Sequence, residues 1–284
     1  MTHTSAAELR GLGKTYRSFW RRPHVALAEL DLTIETGQIF GLLGPNGSGK
    51  TTTMRLILGL LRPTVGEVRV FGRSPADPAL CSELGFLPED SPLFEFLTCF
   101  ETLDHLAAVS GIPRKERRRR AEELLDRFGL RRARDRRVHA LSKGMARRLG
   151  LAQALIHRPR FLLLDEPTSG LDPVGIQDVL DLLRELRAQS VTVLLSSHQL
   201  FEIESVCDRI GILRDGHLLL EGSVDSLLVD SDASEWRVTG EADALRRAED
   251  AARAAGVSSL ESSPAKRSLE SLYRQTIQAD REES

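Results

Sequence analysis

Apolar positions recur along this chain in two rhythms. Between residues 8 and 36, Leu30, Leu32 and Ile34 alternate with Asp31, Thr33 and Glu35, a period of two that predicts short strands of a half-buried antiparallel sheet. Later runs read as further strands: Gln38 to Leu43, Glu67 to Phe71, Leu84 to Leu87, Phe161 to Leu164 and Ser190 to Leu195. Phe161-Leu162-Leu163-Leu164 is wholly apolar, as in a parallel sheet covered on both faces. Helical spacing fills the intervals. Thr53 to Leu61 is helix-like and is stopped by Arg62-Pro63-Thr64-Val65-Gly66. Thr98 and Glu101 form a capping box that opens a helix through Val109, and Gly111-Ile112-Pro113 separates it from a second helix, Arg114 to Phe128. Ser142 is a natural N-cap for a helix with Met145, Leu149, Ala152 and Ile156 on one face. Asp172 caps another, with Pro173 in its first turn, running to about Ala188. A hairpin over Arg209 to Glu221, turning at Asp215-Gly216, closes the main domain.

The pattern predicts an α/β core over residues 5–223, with an antiparallel β subdomain and a helical insert at about 90–141. From about Val224 the composition changes. Trp236 to Thr239 reads as a strand, Ala242 to Ala255 as an alanine-rich helix, Val257 to Leu260 as a weak strand and Ser268 to Ile277 as a last helix, a small α+β appendage over 224–284 with a polar tail.

Composition narrows the function classes. The 284 residues are 41% hydrophobic and 28% charged, a globular balance. With 39 Lys and Arg against 41 Asp and Glu the net charge is -2, so no overall electrostatic case exists for a nucleic-acid partner. The run Arg117-Arg118-Arg119-Arg120, with Arg131, Arg132, Arg134, Arg136 and Arg137 beyond it, could bind phosphates; interleaved Glu116, Glu122, Glu123 and Asp126 favour a solvated, ion-paired face. Phe19-Trp20-Arg21-Arg22-Pro23 reads as a solvated loop, or as a contact for lipid or a partner. Cys81, Cys99 and Cys207 are far apart, without metal-ligand spacing, which suits reduced, structural thiols. No signal-type segment or charge-free window of eighteen residues appears, so a membrane role is expected to be played from the cytosolic face.

The strongest chemical signal is Gly44-Pro45-Asn46-Gly47-Ser48-Gly49-Lys50-Thr51-Thr52, between an apolar strand and a helix. Glycines at this spacing let backbone N–H groups converge on phosphate oxygens, the following helix points its positive end at the same anion, Lys50 reaches the β- and γ-phosphates, and Thr51 is placed to ligate Mg²⁺. Asp165 and Glu166 stand at the carboxyl end of the wholly apolar strand, where an open α/β sheet places its ligand chemistry. Asp165 could hold Mg²⁺ through water and Glu166 could accept a proton from an attacking water. His198, after a strand in the same layer, could hydrogen-bond a γ-phosphate or serve as a cap. Ser142 and Gly144 open a second helix start able to meet phosphate, or simply a capped helix. Tyr16 is an ordinary strand residue or an adenine-stacking ring.

In this order, the motifs resemble the nucleotide-binding subunit of ATP-binding cassette transporters over roughly residues 8–222. GPNGSGKTT looks like the Walker A loop of a P-loop NTPase, LLLDEP like the Walker B strand, LSKGM like the signature, Ser169 to Asp172 like the D-loop and His198 like the switch histidine. The resemblance implies that Tyr16 stacks on adenine and that Glu166, Lys50 and His198 are catalytic. Thr51 and Asp165 would be the Mg²⁺ ligands, with Ser142 and Gly144 meeting the ATP of a second subunit. Glu89 stands where the family has a Mg²⁺-ligating glutamine, and Lys143 and Met145 replace Gly and Gln in the signature. Both departures resemble the branch of single-cassette subunits that pair with separate exporter-type membrane proteins. The implied protein is an ATPase at the cytoplasmic membrane face, with ATP and Mg²⁺ as cofactors and a permease and a second cassette as partners. The alternative is a soluble cassette ATPase acting on ribosomes or DNA.

Overall fold

A computed structural model of the chain describes residues 5–17, 23–197, 199–237 and 261–266, with 268–270, 272–273 and 275–276 beyond. His198, the Phe19 to Arg22 loop, the Ala242 to Ala255 helix and the Val257 to Leu260 strand lie outside the described residues. The chain divides into two compact units, residues 1–222 and 223–284.

In the first unit, β1 (Ser5–Tyr16) and β2 (His24–Glu35) pair antiparallel, and β1 also pairs with β4 (Val65–Val70), giving the three-stranded order β2-β1-β4. Leu30, Leu32 and Ile34 are buried while Asp31 and Thr33 are exposed, as the alternation requires. The strands are long rather than short, because irregularities in the register let each twist and continue. The second sheet combines β3 (Ile39–Leu43), β5 (Leu84–Leu87), β6 (Phe161–Asp165), β7 (Thr192–Ser196), β8 (Arg209–Arg214) and β9 (His217–Ser223) in the order β5-β6-β7-β3-β8-β9. Its pairs from β5 through β8 are parallel, and every residue of β3, β6 and β7 is buried. At the β8–β9 turn Asp215 (φ 48°) and Gly216 (φ 85°) are both left-handed, the requirement of a type I′ hairpin.

Helix α1 (Lys50–Ile57) touches β2, β4 and β7, so it lies between the two sheets. Its Met54, Leu56 and Ile57 join Leu9, Leu30, Phe40, Phe161 and Leu194 in one core. The helix ends four residues before the expected Leu61. Gly59 takes a left-handed φ of 70°, which ends the helix, and Leu58 and Leu61 pack on the core from the turn. The insert comprises α2 (Cys99–Val109), opened by the Thr98–Glu101 capping box, and α3 (Arg114–Arg127). Much of the arginine run is ion-paired: Arg119 with Glu123, Arg117 with Asp104, Arg134 with Glu122 and Arg131 with Asp126. Helix α4 (Lys143–Leu155) follows, then α5 (Pro173–Ala188), with Asp172 accepting from the Gly175 N–H at 2.9 Å. β7 begins at Thr192, not Ser190, because Ser190 turns through a left-handed φ of 60°. A helix not expected from sequence, α6 (Leu200–Val206), follows β7. Among the described residues no helix is long and apolar enough to cross a membrane.

In the second unit, α7 (Val224–Leu228) leads to β10 (Val229–Arg237), which pairs antiparallel with β11 (Glu261–Lys266). Residues 269–270, 272–273 and 275–276 are helical, within the expected last helix.

Phe161 starts β6, is fully buried and meets Phe71 edge-on at 6.3 Å between centroids. Phe161→Ala is expected to lower stability by about 3–5 kcal/mol, read as a shift in the urea unfolding midpoint of the first unit.

Candidate active site

The phosphate loop follows β3 and is shaped by its glycines. Gly44, Gly47 and Gly49 have φ of 151°, 83° and 111°, conformations that side chains rarely adopt. At Gly44 a Cβ would come within 2.2 Å of the Leu213 carbonyl, and at Gly49 within 2.7 Å of the Ala26 carbonyl, so both are also sterically required. The Ser48 N–H donates to the Pro45 carbonyl at 3.2 Å and the Thr53 N–H to Gly49 at 2.8 Å, closing the loop onto α1. Pro45, Asn46 and Gly47 stay exposed at the rim; Ser48 is buried. Lys50, also buried, arches back to donate to the Gly44 carbonyl at 2.6 Å and to Pro45 at 3.1 Å. Burial pushes its ammonium below the usual lysine range, against the opposing pull of the Glu166, Asp165 and Glu89 carboxylates. All three acids thus act on the same charge.

Strand register sets the distances. Leu42 of β3 lies opposite Ser196 of β7, and Ser196 opposite Asp165 of β6, which puts three strand ends in one row. Ser196 Oγ donates to Asp165 Oδ1 at 2.5 Å, and Thr51 Oγ1 donates to Asp165 Oδ2 at 2.7 Å. Glu166 is buried with a left-handed φ of 50°, and its N–H reaches both the Ser196 carbonyl and hydroxyl at 3.1 Å. A non-glycine residue held in that region is strain of the kind found at working sites. Thr51 and Asp165 fit Mg²⁺: two hard oxygen donors side by side, with phosphate oxygens to complete the shell. Among the described residues no group of three His, Cys, Asp or Glu could hold a metal unaided, so that ion would depend on the nucleotide.

Tyr16, the last residue of β1, is half-exposed, with its hydroxyl 3.4 Å from Thr52 Oγ1 beside the loop. Ser142 caps α4, accepting from the Met145 N–H at 3.3 Å, and a Cβ on Gly144 would meet Leu171 and Gly170. Among the described residues no hydrogen bond links Ser142 or Gly144 to the phosphate loop. Glu89 is exposed after β5.

Sequence reasoning missed Arg147. This residue of α4 is buried, and its guanidinium donates to five carbonyls: Pro88 at 2.7 Å, Glu89 at 2.8 Å, Pro167 at 3.0 Å, Asp165 at 2.5 Å, and Glu166. Burial pushes it below the usual arginine range, countered by Asp165, Glu89, Glu166 and Asp90. One fork thus clamps the turn after β5 to the turn after β6. The signal was available: Arg147, Leu151 and Leu155 share one helix face and all three are buried. Ser196 was also missed, as was Glu202 of α6, a buried carboxylate accepting from Thr168 at 2.8 Å and Ser197 at 2.9 Å. Both are small or short-range signals that no spacing rule singles out.

Comparison with known proteins gives this geometry a lineage. A family model described as ABC transporter matches residues 27–169. An uncharacterized ABC transporter ATP-binding protein of Nostoc sp. is 43% identical over 76% of the chain, a match that spans 66%, just under two thirds, of that relative's length. The lipopolysaccharide export system ATP-binding protein of Acidithiobacillus ferridurans is 36% identical over 79% of the chain and 94% of the relative. Among solved structures, a dimeric ATP-binding cassette in a post-hydrolysis state bound to ADP and Pi superposes with a TM-score of 0.71 at 29% identity, covering 77% of this chain and 98% of that one. On these matches, this chain belongs to the ATP-binding proteins of the ABC transporter family.

Proposed function

We propose that the chain is the ATP-hydrolysing subunit of an exporter, closing as a dimer around ATP and driving a separate membrane permease from the cytoplasmic face. The observation that carries this reading is the row of strand ends where Lys50, Thr51, Asp165 and Glu166 meet. The loop's N–H groups would take the phosphates, and Lys50 would exchange its bonds to the Gly44 and Pro45 carbonyls for the β- and γ-oxygens. Thr51 and Asp165 would hold Mg²⁺, which when bound neutralises charge on those phosphates. Glu166, fixed through its N–H by Ser196, would take a proton from the attacking water. Tyr16 would stack on adenine. His198 is assigned the γ-phosphate from its position in the sequence alone.

Ser142 and Gly144 form an anion-binding helix start that the chain's own loop does not use, which supports a second copy or paralogue supplying the facing half. The dimeric relative bound to ADP and Pi supports the same assembly. Export is supported by the relative named for lipopolysaccharide export. For the permease, the insert offers Phe94 and Phe96, 47% and 69% exposed with ring centroids 5.9 Å apart, a few residues after Glu89. Aromatic surface of this kind is what a partner buries.

Glu166→Gln is expected to lower ATP turnover by at least about 100-fold while ATP binding is retained and a dimer accumulates by light scattering; undiminished hydrolysis would remove Glu166 from its role. Pulled down with ATP and Mg²⁺ from gently solubilised host membranes, that variant should bring a polytopic membrane protein. Recovery of ribosomes or DNA instead would keep the chemistry and overturn the transport reading. Phe94→Ser with Phe96→Ser should lose the membrane protein while the isolated chain still hydrolyses ATP. Arg147→Lys should fold, because a lysine keeps the charge, yet lower kcat by roughly tenfold with KM little changed, since one ammonium cannot clamp both turns.

A further inference from the structure

A cavity of about 530 Å³ lies at the amino ends of β6 and β7, the end of the sheet opposite the phosphate loop and roughly 15 Å away at strand spacing. It is a size suited to a small molecule. Four arginines line it: Arg120 and Arg127 from α3, and Arg158 and Arg160 from the α4–β6 connection. Among the described residues no carboxylate lines it. Two of the three nearby acids are shared between arginines. Glu83 serves both Arg160 and Arg73, Glu123 serves Arg119 and, at 3.7 Å, Arg120, and Glu185 serves Arg127. Arg158 has no ion-pair partner among the described residues, and it is held at a left-handed φ of 56°. Arg120 is turned inward, away from the solvated face that the rest of the run forms. One of its terminal nitrogens donates to the Leu155 carbonyl at 3.2 Å, but its buried Nε has no hydrogen-bond partner. Burial, and then repulsion from Arg158 and Arg127, push Arg120 below the usual arginine range against the opposing pull of Glu123.

Four arginines around a concave space set against three carboxylates, two of them shared, leave positive charge and one orphaned donor that an anion would satisfy. Guanidinium forks match phosphate oxygens, and the walls supplied by Phe71, Leu155 and Pro159 enclose a compact ligand rather than an extended backbone. We propose that this cavity is a second anion site, taking a small, multiply charged phosphate compound. Seated there, the anion would join α3 of the helical insert to the strands of the core, on the face away from ATP. The site is independent of the phosphate loop.

The test is calorimetric titration of inorganic pyrophosphate into the full chain preloaded with Mg²⁺ and ADP, so that the loop is already filled. One further equivalent is expected to bind, with an affinity that falls steeply as salt rises. Arg158→Ala and Arg120→Gln should each weaken it at least tenfold, whereas Arg118→Ala, on the exposed face of α3, should leave it unchanged. Should Arg120→Gln fail to fold, Arg158→Glu at an exposed position should abolish binding alone. No binding to the loaded chain, or equal weakening by Arg118→Ala, overturns the proposal.

Discussion

The arrangement depends on the shared register of β3, β7 and β6. Because Leu42, Ser196 and Asp165 face one another across two parallel ladders, the loop after β3 and the acids after β6 arrive at the same height, and Thr51 can reach Asp165 without a long side chain. A slip of one residue would turn Asp165 to the other face of the sheet and break the Thr51 bond. Register here is held by wholly buried strands, so hydrophobic burial fixes the geometry of a polar site. Ser196 adds the fine adjustment, donating to Asp165 while accepting from the Glu166 N–H.

Arg147 extends that control to the insert. Its five carbonyl acceptors belong to two turns, and the helix that carries it starts at Ser142. A displacement of the α4 start therefore pulls on the backbone of Glu89 and Glu166 together. A planar fork cannot lengthen one of these bonds without tilting against the rest.

Much of this was legible in the sequence. The alternation at Leu30, Leu32 and Ile34, the Thr98–Glu101 box, the Asp172 cap and the Asp215-Gly216 hairpin all act within a few residues, and local rules read local devices. The errors lie where tertiary packing or one backbone angle decides. α1 ends at Ile57 although apolar residues continue to Leu61, because Gly59 redirects the chain and the later leucines pack from a turn. β7 starts late because Ser190 spends two residues of an apparent run on a left-handed turn. α6 was missed because it is short, lacks a side-chain cap and buries a glutamate. That the loop and the acids Asp165 and Glu166 come together was legible because spacing encodes it. For Arg147 the signal was its place on the helix face of Leu151 and Leu155, but a guanidinium that bonds mainly backbone carbonyls leaves no partner motif to find.

The arginines of α3 show the same division. On sequence alone they form one class, an acid-interleaved run best read as a solvated face, and for Arg117 and Arg119 that reading matches their ion pairs. Arg120 departs from it by one step around the helix, about 100°. That rotation takes it from water to the edge of the core, where its charge meets those of Arg127 and Arg158 and only a long pairing with Glu123, which Arg119 shares. Helical phase, more than charge content, thus separates a solubilising arginine from one able to hold a ligand. The same distinction separates Arg148, half-exposed and paired with Asp178 at 3.4 Å, from its buried neighbour Arg147.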